Sequence, residues 1–71
     1  MKVPVIIYPP DASGGRRVRS GTETLGVAHN HADVAELLRR AGLEGVDEAE
    51  VATTSLIDWH GGGPDVWSAP G

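Results

Sequence analysis

A chain of 71 residues with a formal net charge of −4 has room for one domain, and it lacks the excess of Lys and Arg that general nucleic-acid binding needs to neutralise phosphates. A chain of this size buries only about 60% of its unfolded surface, and its core rarely supplies more than roughly 3–5 kcal/mol without a staple, a metal or a partner. The absence of cysteine excludes disulfides, thiolate metal sites and cysteine catalysis, leaving efficient packing, a histidine–carboxylate metal site or oligomerisation.

Val3 to Tyr8 is β-branched and apolar on both faces, the pattern of a central strand, and Pro9-Pro10 ends it, while Pro4 limits pairing near its start. Residues 9–15 form a loop by composition. Arg17-Val18-Arg19 and Thr24-Leu25-Gly26-Val27 flank Ser20-Gly21-Thr22-Glu23, a segment of hairpin-turn residues. Alternation places Val18, Leu25 and Val27 toward a core and Arg17 and Arg19 toward water.

The helix is the plainest element. Asn30 is a good N-cap, with Asp33 three residues on in the spacing of a capping box. Val34, Leu37, Leu38 and Ala41 recur at i, i+3, i+4 and i+7, one apolar stripe of period 3.6, while Glu36, Arg39 and Arg40 take the other face. Gly42 follows as a left-handed C′ residue, with Leu43 folding back as in a Schellman motif. The spacing predicts a helix over 31–41. Asp47 and Glu50 have capping-box spacing for one short turn, and Thr53 to Trp59 reads as a last strand. The order is β-β-β-α-β over residues 1–71: an α+β domain in which an amphipathic helix lies on a small antiparallel or mixed sheet of three to four strands. A disordered tail is expected at 68–71.

No apolar run approaches the roughly 20 residues that span a bilayer. Pro9-Pro10 cuts Ile6-Ile7-Tyr8 short of the apolar core of a secretory leader, so the expectation is a soluble cytoplasmic protein with no membrane partner. The charge is uneven. Lys2, Arg16, Arg17 and Arg19 outweigh Asp11 in the first twenty residues, whereas acids dominate the remainder. Such asymmetry can steer a charged partner, or two copies of the chain toward each other.

The chemistry-bearing residues concentrate in Leu56-Ile57-Asp58-Trp59-His60-Gly61-Gly62-Gly63-Pro64-Asp65-Val66-Trp67, which holds both tryptophans and a triple glycine. An enzyme reading pairs His60 as general base with Asp58 or Asp65 and uses the glycine amides to hold an anion. Against it, no helix start follows the glycines, and no serine has an evident base. A metal reading points His29 and His31 to the same side, joined by Asp33 as an oxygen ligand or His60 as a nitrogen ligand. His29-Asn30-His31 shares only letters with nucleases named for that triplet. Asn30 as N-cap bends the chain between the two histidines, so that His29 ends a strand and His31 caps the first helical turn beside Asp33. The structural reading makes Trp59 and Trp67 a clasp, with the glycines reversing the chain and Pro64 fixing its return. An interaction reading leaves Trp67 partly exposed as an anchor beside Trp59, with Arg17 and Arg19 contributing from an exposed strand that also offers its edge to a partner strand.

Five arginines against one lysine is the usage of a GC-rich genome. The run Leu25-Gly26-Val27-Ala28-His29, the helix end Leu37-Leu38-Arg39-Arg40-Ala41-Gly42-Leu43 and the Leu56 to Pro64 stretch resemble small uncharacterised actinobacterial proteins over about residues 16–67. The resemblance implies a cytoplasmic setting and carries no catalytic or ligand residue with it. The expectation from sequence is therefore a non-catalytic, cofactor-free protein-interaction or self-associating module, a homo-oligomer in the simplest case. The alternative is a small-molecule or metal-binding protein using His29, His31 and His60.

Overall fold

The computed structural model describes residues 5–43 and 46–68. Its elements run β1 (Val5–Ile7), β2 (Arg16–Ser20), β3 (Glu23–Ala28), α1 (His31–Arg40), a 3-10 turn (Glu48–Glu50) and β4 (Ile57–Trp59). They build one mixed four-stranded sheet in the order β3-β2-β1-β4, with β1 antiparallel to β2 and parallel to β4. The β-β-β-α-β order is as the sequence predicts. The expected strand start at Val3-Pro4 and the last residues of the expected tail lie outside the described residues.

Helix α1 begins where its capping chemistry places it. The Asn30 side chain accepts from the Asp33 amide at 2.9 Å, satisfying one of the amides that a helix start leaves without a partner. The Asp33 carboxylate reaches past the N-cap to the His29 amide at 2.9 Å, one residue further back than a capping box requires. At the other end Gly42 adopts φ +84°, and the Leu43 amide donates to the Leu38 carbonyl at 2.9 Å, completing a Schellman closure. Val34 and Leu38 are wholly buried, and Leu37 packs beside them. Ala41 departs from the expected stripe: it is the C-cap and is exposed, because the chain turns away there.

The helix covers one face of the sheet. Val5, Ile7, Val18, Ala28 and Ile57 point into that layer with Val34, Leu38 and Val51. The expectation for Val27 fails: it is 51% exposed, on the opposite face. A bulge causes the change of phase. Val18 pairs with Gly26, but Arg19 pairs with Thr24, so Leu25 is an extra residue in β3 and reverses the alternation after it. Leu25 itself packs against the core as expected.

The last strand is also shorter than its apolar pattern suggests. The Thr53 and Thr54 amides both return to the Glu50 carbonyl (3.1 and 2.9 Å), and Thr54 Oγ1 accepts from the Leu56 amide at 3.2 Å. These local bonds hold 53–56 in turns until Ile57 joins β1. The predicted turn at 47–50 forms, with the Glu50 carboxylate accepting from the Asp47 amide at 3.3 Å. No described helix is long and apolar enough to cross a membrane.

Candidate functional site

The C-terminal glycine stretch folds around a residue that sequence reasoning did not select. Arg16 lies on the core face of β2 and is wholly buried. A guanidinium has five N–H donors in a fixed fork, and here each meets a backbone carbonyl. Nε donates to Tyr8 at 2.8 Å, Nη1 to Gly63 and Val66 at 2.7 Å each, and Nη2 to His60 and Gly62 at 2.9 Å each. The indole rings of Trp59 and Trp67 lie 5.1 and 5.6 Å from the guanidinium carbon. No described carboxylate pairs with it; carbonyl dipoles and aromatic faces replace the water it has lost. Burial lowers the proton affinity of the group, yet arginine starts so high that it stays charged.

The triple glycine thus acts in the opposite sense from an anion cradle. Two of its carbonyls, those of Gly62 and Gly63, converge, and they converge on a cation. Gly61 is required there: its φ is +75°, and a Cβ would lie 2.3 Å from Pro9 Cγ. Pro64 fixes the return, and its carbonyl receives the Trp67 indole N–H at 2.8 Å and His31 Nε2 at 2.6 Å. Since a carbonyl only accepts, Nε2 of His31 carries a proton. The His31 ring sits 6.4 Å from Trp59 and 5.8 Å from Trp67, and the two indoles stand perpendicular at 6.1 Å. Trp59 and Trp67, both half-buried, therefore close the core over Arg16 and the helix start.

The three histidines have separate partners. His29 lies beside Asp33, with Nδ1 3.8 Å from Oδ2, so it takes the place by Asp33 that was expected of His31. His60 Nε2 meets Asp58 Oδ2 at 2.9 Å on an exposed surface, and His31 belongs to the tryptophan clasp. Among the described residues no group of three or more His, Asp or Glu side chains is placed to hold a metal ion.

Arg17 and Arg19 lie on the other face of the sheet, which no described helix covers. Their strand does not offer an edge to a partner as expected, because β2 is paired on both sides, to β1 and β3. What it presents is side chains. Register places Thr24, Arg19, Ile6 and Asp58 in one row across the sheet. The pairings Arg17 with Val27, Tyr8 N–H to the Arg17 carbonyl (2.9 Å) and His60 N–H to the Ile7 carbonyl (2.8 Å) place Val27, Arg17, Tyr8 and His60 in the next. Both guanidinium carbons approach the Tyr8 ring, Arg17 at 5.8 Å and Arg19 at 5.5 Å. Neither arginine has an ion-pair partner among the described residues, and Arg19 Nε lacks a hydrogen-bond acceptor. A shallow depression of about 330 Å³ lies between Tyr8, Pro9, Asp11, Gly15, Arg17 and Val27.

The loop leading into β2 is organised by Asp11. Its carboxylate accepts from the Ser13 amide (2.9 Å), the Ser13 hydroxyl (2.7 Å) and the Gly15 amide (3.1 Å), and these bonds hold its pKa below the ordinary value of 3.8. The loop delivers Arg16 to the core face and Arg17 to the open one. Sequence reasoning identified Arg17 and Arg19 and paired Asp58 with His60, which do meet, but it missed Arg16, Ile6 and Tyr8. Period-two alternation from Val18 contains the signal for Arg16.

No family model matches this chain, and neither a curated protein nor a solved structure matches it.

Proposed function

We propose that this protein is a small non-catalytic interaction module that docks a protein partner on the uncovered face of its sheet. One observation carries the reading: the two rows of open-face residues set an apolar strip, Ile6 and Tyr8, between Arg17 and Arg19 on one side and Asp58 and His60 on the other. Interfaces favour Tyr and Arg around a desolvated centre. In this reading Arg17 and Arg19 act as interface residues, while Trp59 and Trp67 support the surface from the core side. Docking through side chains suits a four-stranded sheet with one helix, because only one of its faces is covered. A cytoplasmic setting belongs to the same proposal and comes from the sequence alone.

The test is site-specific crosslinking in the host cell. A photoreactive phenylalanine analogue at Val27, on the open face, is compared with the same group at Ala52, an exposed turn position. A protein adduct from position 27 and none from position 52 supports the reading. Equal adducts from both, or none from position 27, sink it.

A further inference from the structure

Resting on the interaction-module reading, we infer that the occupant of the open face is a second copy of this chain, packed face to face about a two-fold axis parallel to β1. The charge pattern selects both partner and axis. In the sheet β2 and β4 flank β1, so Arg19 and Asp58 stand on opposite sides of Ile6 at one level. An axis running along β1 between two stacked sheets exchanges left for right and keeps the level. It therefore sets β2 of each copy over β4 of the other, with Arg19 facing Asp58 twice and Arg17 near His60 twice. Ile6 and Tyr8 lie on the axis and meet their own counterparts. A two-fold perpendicular to the strands instead stacks β2 on β2 and brings four arginines together, which like-charge repulsion opposes.

The side chains are available for this arrangement. Arg19 has no carboxylate partner among the described residues of its own chain, and its side chain is only partly buried. Asp58 is exposed and uses Oδ2 for His60, leaving Oδ1 without a hydrogen bond among the described residues. The same patch on each subunit, complementary to itself, is what a closed two-fold dimer requires. A standard interface takes about 800 Å² from each partner. Against an accessible surface of 4437 Å² that is close to a fifth, in keeping with one broad face of a two-layer domain. A copy approaching by this face meets Asp58 opposite its Arg19 on each side of the apolar strip.

Sedimentation or native mass spectrometry of the full chain from micromolar to millimolar concentration tests the inference with Arg19→Asp, Asp58→Arg and the double variant. The wild type is expected to dimerise. Each single variant sets like charges opposite each other and should weaken the dimer by about tenfold or more. An equimolar mixture of the two single variants should recover it. There the new carboxylate at position 19 of one copy faces the new guanidinium at position 58 of the other, and the second pair keeps its native Arg19 and Asp58. The double variant should recover it as well. Near-ultraviolet circular dichroism of the tryptophans confirms that each variant is folded, and Asp58→Arg, at an exposed position, serves if Arg19→Asp is not. A wild type that stays monomeric to millimolar concentration overturns the second-copy inference, and so does a dimer indifferent to both swaps. In either case a crosslink from position 27 to a different protein leaves the module reading standing, whereas no crosslink from that position ends both.

Discussion

Arg16 shows how one side chain can substitute for several missing contacts in a small core. A buried charge without partners costs far more than this domain's stability, so the carbonyls of His60, Gly62, Gly63 and Val66 must all be in place when the domain folds. Lysine has three donors on a flexible stem instead of five in a planar fork. Arg16→Lys should therefore lower unfolding free energy by about 3 kcal/mol in urea titration, despite keeping the charge. Gly61→Ala combines a positive φ with a clash against Pro9 and should cost more than about 1 kcal/mol by the same measurement. Trp67→Ala removes an aromatic face from Arg16 and a donor from the Pro64 carbonyl. A loss of about 3 kcal/mol is expected, enough to leave much of the chain unfolded at room temperature.

The elements are held by their ends. Helix α1 has a side-chain cap at Asn30 and a glycine closure at Gly42, so Asn30→Ala should cost about 1 kcal/mol while leaving the fold intact by circular dichroism. Between β1 and β2, the Asp11 carboxylate takes the part that a longer hydrogen-bond ladder would otherwise play. Its pKa is lower in the folded chain than in the unfolded one, chiefly through its bonds to Ser13 and Gly15. The sign follows directly: the stabilisation is full above the ordinary value of 3.8 and is lost as pH falls through the lower folded value. Melting temperature measured down an acid series should decline in that window for the wild type. The part of the decline due to Asp11 should be absent in Asp11→Asn, whose side chain does not ionise.

At the scale of the whole molecule, the clasp ties the two ends of the sequence together. Tyr8 and Arg16 lie near the start, and the carbonyls that hold the guanidinium lie some fifty residues later. Removing residues 60–71 leaves β4 intact but strips Arg16 of four of its five acceptors. The truncated chain should lack a cooperative thermal transition. Truncation together with Arg16→Met, which needs no acceptors, should recover part of it. The open face meets the clasp only through Tyr8 and His60, whose carbonyls hold Arg16. Asp58 is exposed and makes no contact with those carbonyls, so its substitution should change association and leave stability within about 0.5 kcal/mol.

Sequence alone determined the local elements. Asn30, Gly42 and the Val34, Leu37, Leu38 stripe specify the helix, because caps and periodicity act within a few residues. The β-β-β-α-β order and the clasp-like return at Pro64 were legible for the same reason. Tertiary structure decided what lies farther apart. The bulge at Leu25 turned Val27 outward; Gly26, at φ +152° inside the strand, marks it, but a strand glycine does not by itself say which residue is inserted. Arg16 shares its face with Val18 by simple alternation, yet a buried arginine has a sense only once distant carbonyls surround it. The strand order put Arg19 and Asp58 on either side of Ile6 and gave His29, His31 and His60 separate neighbours. Pairing across dozens of residues is set by the energy of the whole packed chain, which no short window of sequence contains.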